Sequence, residues 1–155
     1  MQEPCPVRSI KAVAYCHSTE DCDRVAKALR NVLPGEIHIE KVTGYYGNVI
    51  TMMYAEVVGC YATTIFANIL KSIDNLDFQI LLNNINIYKN KLFIRFNKQK
   101  ALQGLLRLDS GDDVIHVEVR VPRAAANSLI ETFVRLRGSG RGSQEKLEGG
   151  GGPRR

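Results

Sequence analysis

The sequence predicts an α+β domain of two layers, in which helices pack on one face of a mainly antiparallel sheet. Segments that alternate apolar and polar side chains, as half-buried strands do, are interspersed with segments of helical period. Short turns join several of the strand segments, and antiparallel neighbours allow such turns. The chain has 155 residues, of which 45% are hydrophobic and 24% charged. A chain of this length and composition can bury a core as one domain.

The first predicted elements are a strand and a helix. Residues 10–17 alternate between apolar and polar side chains, which predicts a strand with one buried face. Apolar residues then recur at helical spacing over residues 19–33, and Pro34-Gly35 ends the pattern. Ser18 precedes this helix and is predicted to be its N-cap.

A hairpin follows, and then a second set of helices and strands. Residues 37–42 and 49–58 predict the two strands of the hairpin, with turn residues at 44–48 between them. The remaining predicted elements are two helices with apolar stripes over 66–73 and 78–85, a strand over 91–97, a helical turn over 98–103, a short strand over 105–108, a strand over 114–121 and a last helix over 126–137.

The folded domain is predicted to span residues 1–137. Residues 138–155 form a Gly/Arg-rich tail that has few apolar side chains to bury, and we expect it to be disordered. No apolar run approaches the roughly 18 residues that a membrane helix needs. The beginning of the chain lacks the apolar stretch of a secretory signal. We therefore expect a cytoplasmic protein without a membrane partner.

The cysteines predict neither a disulfide framework nor a metal site. They are irregularly spaced and lack a C-x-x-C pair, at Cys5, Cys16, Cys22 and Cys60. In a protein without secretory features this predicts reduced thiols. A zinc set that adds His17 and His38 to two of the cysteines lacks the usual ligand spacing, so we predict no metal and no cofactor.

The sequence also lacks the motifs of common enzyme classes. It has no phosphate loop, dinucleotide-binding glycine motif, nucleophile elbow or metalloprotease helix. Asp109, Asp112 and Asp113, next to His116, leave a magnesium-dependent nuclease as a minor alternative. A hairpin turn whose side chains bond their own backbone explains the same carboxylates better. We therefore predict no catalytic residues and no enzymatic activity.

Positive charge is concentrated in one part of the chain. The net charge is +5, yet no acidic residue occurs from Phe78 to Leu108. Over residues 91–100, cations, an aromatic ring and an amide occupy the predicted solvent face, which is typical of an RNA-binding surface. The predicted phosphate contacts are Lys91, Arg95, Lys98 and Lys100, with Arg30 from the first helix.

The predicted hairpin turn, Gly44-Tyr45-Tyr46-Gly47-Asn48, is a second candidate region. Glycine lets the backbone approach a ligand closely, and aromatic rings offer faces on which bases stack. The alternative is an ordinary glycine-containing turn whose tyrosines fold onto the sheet. The predicted RNA contacts from the turn and from the strand are Tyr45, Tyr46, Asn48 and Phe93.

Four blocks of the sequence resemble an archaeal family described as a predicted RNA-binding exosome subunit. They are KALRNVLP at 27–34, GYYGNVI at 44–50, LFIRFNKQKA at 92–101 and DDVIHV at 112–117. The resemblance covers residues 9–137. It implies a fold similar to ribosomal protein L5 or to a double-stranded RNA-binding domain, without catalytic activity. The family usually has Asp where this chain has Asn97, which removes a negative charge beside Lys98 and Lys100.

The leading hypothesis is a non-catalytic RNA-binding protein that serves an exosome or a ribosome-related complex. The alternative is a scaffold or assembly subunit without direct RNA contact. Such a subunit recognises another protein, or a second copy of itself as a homodimer, through an open sheet edge or the hairpin.

Overall fold

The computed structural model describes residues 5–44, 46–85, 87–123 and 128–147, with side chains in the last segment described up to residue 138. The strands are β1 (Ser9–Cys16), β2 (His38–Thr43), β3 (Val49–Val58), β4 (Ile87–Tyr88), β5 (Lys91–Asn97) and β6 (Val114–Arg120). The helices are α1 (Cys22–Val32), α2 (Tyr61–Ser72), α3 (Asn75–Asn83), α4 (Lys98–Leu102) and α5 (Leu129–Leu147).

The strands form one six-stranded sheet in the order β2-β3-β1-β6-β5-β4, and every neighbouring pair is antiparallel. The predicted α+β class is therefore confirmed. Alternate side chains of β1, β5 and β6 are buried in the same hydrophobic cluster as the apolar stripes of α1, α2, α3 and α5. The helices thus cover one face of the sheet. We call the opposite face, whose side chains are exposed or half-buried, the open face.

Helix α1 begins later than its apolar pattern predicts. Asp21, and not Ser18, is the N-cap, because its carboxylate accepts a hydrogen bond of 3.0 Å from the backbone N–H of Asp23. The residues before it form a turn in which the Glu20 carboxylate accepts a hydrogen bond of 3.0 Å from the His17 N–H. The prediction of Ser18 as the cap is therefore wrong: this turn intervenes between strand and helix.

The prediction of free thiols is also wrong. The structure pairs all four cysteines in two disulfides, Cys5–Cys60 and Cys16–Cys22. Antiparallel pairing of β1 with β3 sets Ser9 opposite Val58, which brings the residues before one strand beside those after the other. The zinc set is excluded for the same reason, since its two cysteines are bonded to each other.

The short strand predicted over 105–108 is not a strand in the structure. The segment is reduced to an isolated bridge between Phe96 and Leu108. The carboxylate of Asp77, which is buried, accepts hydrogen bonds of 3.0 Å from the Leu108 N–H and from Arg107 Nε, so this segment is held by a side chain as well as by the sheet. A side-chain partner of this kind leaves no periodic signal in the sequence.

The last helix extends beyond its predicted end. Its pattern predicts an end near Arg137, whereas α5 runs to Leu147. The helical backbone continues after the apolar stripe ends. Because periodicity detects only the stripe, it predicts an end of the helix that is too early. The predicted start at 126 and residues 148–155 of the predicted tail lie outside the described residues. No helix in the described part of the chain is long and apolar enough to cross a membrane.

Candidate nucleic-acid interface

The open face brings together polar and charged residues from three strands that are far apart in the sequence. Directly opposed residues in antiparallel strands share a face, with Cβ atoms about 5 Å apart. The register of β5, β6 and β1 therefore builds three adjacent rows of side chains. These rows are Lys91–Arg120–Ser9, Phe93–Glu118–Lys11 and Arg95–His116–Val13.

This part of the open face is positively charged. Among the described residues of β1, β5 and β6, its open-face side chains include the cations Lys11, Lys91, Arg95 and Arg120 and one carboxylate, Glu118. Glu118 Oε2 lies 3.5 Å from Lys91 Nζ and 3.8 Å from Arg120 Nη2. One carboxylate cannot neutralise four cations, so a net positive surface remains. We call the open face of these three strands the basic half.

An aromatic ring lies on the outer strand of the basic half. Phe93 is 55% exposed, and the pairing of β5 with β4 ends at Leu92, one residue before it. It lies between Lys91 and Arg95 along β5, with Glu118 opposite in the neighbouring strand. An exposed ring surrounded by cations can stack on a nucleic-acid base while the cations contact phosphates.

The open face of β2 and β3 differs in charge. It carries Glu40 and Glu56 and, in the described residues, no lysine or arginine. Its aromatic residues are engaged with one another and with β1: the rings of Tyr54 and His38 stack with centroids 5.2 Å apart, and Lys11 Nζ lies 4.8 Å from the Tyr54 ring centroid. We call this surface the acidic half.

Of the residues that the sequence predicts as RNA contacts, the structure brings Lys91, Phe93 and Arg95 together on the basic half. Arg30 and Lys100 are exposed on α1 and α4, in the helical layer behind the sheet. Tyr46, which is 89% exposed, and Asn48 lie in the turn between β2 and β3, at one end of the acidic half. Tyr45 lies outside the described residues.

The structure gives Lys98 an internal role, and this corrects its prediction as a phosphate contact. The residue is 3% exposed. Its Nζ lies 2.9 Å from Glu20 Oε2 and 2.7 Å from Asp113 Oδ1, and it donates a hydrogen bond of 3.0 Å to the Tyr15 carbonyl. The hydrogen bond from Lys98 also lowers the pKa of Asp113. A buried ammonium that two carboxylates neutralise is not available to RNA.

Asn97 and Asp109 also have structural partners. Asn97 is the N-cap of α4, where its Oδ1 accepts a hydrogen bond of 2.8 Å from the Lys100 N–H, and its Nδ2 donates one of 2.8 Å to Asp109. Hydrogen bonds to its carboxylate lower the pKa of Asp109. The bond from the Gly111 N–H has the larger effect, and the bond from Asn97 the smaller. In the described residues no group of three or more His, Cys, Asp or Glu is arranged to hold a metal. The predicted carboxylate cluster therefore lacks the geometry of a magnesium site.

Lys11 and Arg120 belong to the basic half but are not among the contacts that the sequence predicts. Both occupy polar positions in segments that alternate clearly, so each was predictable as solvent-facing. Their proximity to β5 was not predictable, because it requires the order β1-β6-β5, which no local signal specifies.

Residues 9–121, which include all three strands of the basic half, match a family model described as RNA binding. The chain belongs to this RNA-binding family. A relative from Methanocaldococcus jannaschii, the uncharacterized protein MJ0213, is 36% identical over 125 residues that cover 70% of this chain and 80% of the relative. The RNA-binding protein PAB1135 from Pyrococcus abyssi is 31% identical over 130 residues that cover 73% of this chain and 80% of that protein.

The fold of this family member is also similar to solved structures. The structure of Mth689, a DUF54 protein from Methanothermobacter thermautotrophicus, matches it with a TM-score of 0.70 and 28% sequence identity. The match covers 84% of this chain and 98% of Mth689. The similarity therefore extends over nearly the whole of that neighbour and over most of this chain.

Proposed function

We propose that this protein binds single-stranded RNA across the basic half of its open face and has no catalytic activity of its own. One observation carries the proposal: cations from β1, β5 and β6 share one surface with the exposed Phe93 ring. Cations of this kind contact phosphates without reading sequence, and the ring adds a stacking surface for a base. Membership of the RNA-binding family supports the same function.

The open face suits a single strand better than a duplex. Bases of unpaired RNA are free to stack on protein rings, whereas the bases of a duplex are stacked on each other. An unpaired base can therefore stack on the Phe93 ring, whereas a base inside a duplex cannot. We therefore expect tighter binding to single-stranded than to double-stranded RNA of the same length.

The test is a salt titration of RNA binding with two matched double variants. Arg95→Ala with Arg120→Ala removes two cations from the basic half, and Arg30→Ala with Lys100→Ala removes two from the helical layer. For the wild type, four phosphate contacts on a single strand predict a slope of log affinity against log salt of about −2.8. The sheet variant should reduce this slope to about −1.4 and weaken binding roughly 50-fold at low salt, while the helix variant stays close to the wild type.

Equal effects of the two variants would show that only net charge matters and would contradict this placement of the RNA. No binding of either RNA form at low salt would refute the proposed function itself. Thermal unfolding of both variants serves as the control for folding, since all four residues are exposed.

We further propose that the protein acts beside a larger RNA-processing or ribosome-related assembly. The resemblance of its sequence blocks to a predicted exosome subunit supports this role, and the proposal includes a cytoplasmic location. We also propose that the fold is similar to that of ribosomal protein L5. Co-purification of tagged protein with exosome or ribosomal components, lost after nuclease treatment, is the expected result.

A protein partner is the second candidate. It is favoured by the hairpin of β2 and β3, where Ile39 and Val49 are exposed and β2 forms the edge of the sheet. Sheet edges with exposed apolar residues are sites of association with other chains or with a second copy, as in a homodimer. A partner, or a dimer, that persists after nuclease treatment would support this candidate instead.

A further inference from the structure

Strands β1 and β6 separate at one end of the open face. Their pairing ends at Val13 opposite His116. Beyond this point β1 continues beside β3 as far as Cys16, and β6 remains paired with β5 back to Val114. The separation opens a cavity of about 380 Å³ between two central strands. We call this cavity the β1–β6 cleft.

Lys98 lies at the base of the cleft. Its ammonium donates to the Tyr15 carbonyl, on the part of β1 that has left β6, and pairs with Asp113 from the loop before β6. Glu20 supplies a second carboxylate to the same ammonium from the turn after β1. These contacts join both sides of the separation, so the cleft is a built feature of the fold, and the positive charge of Lys98 at its base is fully compensated.

The walls of the β1–β6 cleft are aromatic and apolar. Tyr15 and His116 face each other edge to face with ring centroids 6.4 Å apart, and Ile50 and Val114 add apolar surface. Burial lowers the pKa of His116, and Arg95 lowers it further, so the imidazole is neutral near pH 7. Neutral rings around a cavity of this volume suit a flat, uncharged heterocycle.

Asp112 provides a carboxylate in the cleft besides the paired Lys98 and Asp113. It is exposed, lines the cavity, and has no hydrogen-bond or ion-pair partner among the described residues. A free carboxylate repels phosphate, but it accepts hydrogen bonds from the N–H groups of a base edge. The cleft is therefore chemically suited to a base and not to the RNA backbone.

The cleft is continuous with the basic half. His116, in its wall, lies directly opposite Arg95 in the neighbouring strand. A strand of RNA whose phosphate contacts Arg95 thus has a base beside the cleft entrance.

We propose that the β1–β6 cleft binds one unpaired nucleobase and prefers guanine, with Asp112 as the residue that reads the base. Guanine presents two adjacent donors, N1–H and N2–H, which match the two oxygens of a carboxylate. Inosine and uracil present one such donor each. This inference rests on the proposed function, because the base is delivered by RNA bound to the basic half.

The test uses single-stranded RNAs of ten uridines, with the central position replaced by guanosine or inosine. These two bases differ only in the 2-amino group. Fluorescence anisotropy should show that the guanosine oligonucleotide binds roughly tenfold tighter than the inosine one, as expected for one hydrogen bond to a charged group. The inosine oligonucleotide should bind like unsubstituted uridine.

Asp112→Ala should reduce the guanosine-to-inosine ratio to about twofold or less. Removing a negative charge raises affinity for every RNA, and the ratio cancels this common effect. Glu36→Ala is the matched control, since it removes an exposed carboxylate far from the cleft and should leave the ratio unchanged. Tyr15→Leu, which removes a ring and keeps the backbone carbonyl, should weaken binding of the guanosine oligonucleotide.

Salt-dependent binding with equal affinity for all three oligonucleotides would overturn the base pocket and leave the proposed function intact. A ratio that persists in Asp112→Ala would overturn the role of the carboxylate. Absence of binding to every oligonucleotide would instead refute the proposed function.

Discussion

The two halves of the open face are parts of one sheet, yet they differ in charge and in origin. The acidic half is a local hairpin, since β2 and β3 follow each other in the chain and pair directly. The basic half is assembled from β1, β6 and β5, whose residues lie between Ser9 and Arg120 in the sequence. The hairpin supplies two carboxylates, and the distant strands supply four cations and Phe93.

The difference shows how a positively charged surface arises without a linear motif. Each strand of the basic half has only one or two cations on its open face, and the two of β5, Lys91 and Arg95, are four residues apart. Isolated charges of this kind are solvated and unremarkable on a single strand. Antiparallel register places them in adjacent rows, and the resulting surface attracts a polyanion.

The largest effect in this comparison is expected from Phe93→Ala. Loss of one base-stacking ring should weaken single-stranded RNA binding roughly 5- to 100-fold in a fluorescence anisotropy titration. Val58→Ala is the matched change on the acidic half, since Val58 is 72% exposed there, and it should leave affinity unchanged. Equal losses in both variants would show that RNA covers the whole open face.

The next largest effect concerns stability and Lys98. Lys98→Ala leaves Glu20 and Asp113 without their cation and should lower the free energy of unfolding by about 2 kcal/mol in urea denaturation. The neighbouring Lys100→Ala, an exposed substitution, should change it by less than about 0.5 kcal/mol. If Lys98→Ala were as stable as the wild type and had a flatter salt slope, Lys98 would belong to the interface after all.

A smaller effect should follow from Glu118→Gln. The change removes the carboxylate that partly neutralises Lys91 and Arg120, so RNA affinity should rise roughly threefold at low salt. Glu40→Gln removes the same charge two strands away from the basic half and should have little effect once salt screens it. A rise of equal size in both variants would contradict the division of the face into two halves.

The smallest effect is a pH dependence that Lys98 imposes through Asp113. The hydrogen bond from Lys98 lowers the pKa of Asp113 below its ordinary value of 3.8. A carboxylate whose pKa is lower in the folded state stabilises the fold above 3.8 and loses this contribution as pH falls through the lowered value. The effect is small, because the Asp113 side chain is 55% exposed.

Urea denaturation at about pH 7 and about pH 3 measures this dependence. The stability difference between wild type and Lys98→Ala should be larger at neutral pH than in acid. If the stability difference were the same at both pH values, Lys98 would not lower the pKa of Asp113 in the folded state.

Much of the fold was predictable, because strands and helices with one buried face carry their period in the sequence. The bounds of β3 and β5 agree with the predicted 49–58 and 91–97. Predictions were wrong where contacts with side chains distant in the sequence decide the structure. Examples are the burial of Lys98 and the 105–108 segment, which Asp77 holds by hydrogen bonds. The disulfides belong to the same class, since Cys5 and Cys60 meet only through the pairing of β1 with β3.

The sequence by itself determined the α+β class, most of the elements, and which side of each strand faces solvent, because periodicity is a local property of the chain. It also carried a recognisable resemblance to RNA-binding proteins. Only the tertiary structure decided which solvent-facing residues are neighbours. Strand order placed Arg120 opposite Lys91 and Lys11 in the same row as Phe93, left Arg30 and Lys100 behind the sheet, and buried Lys98 where β1 and β6 separate. Pairing between distant strands is a property of the whole fold, and the basic half follows from it.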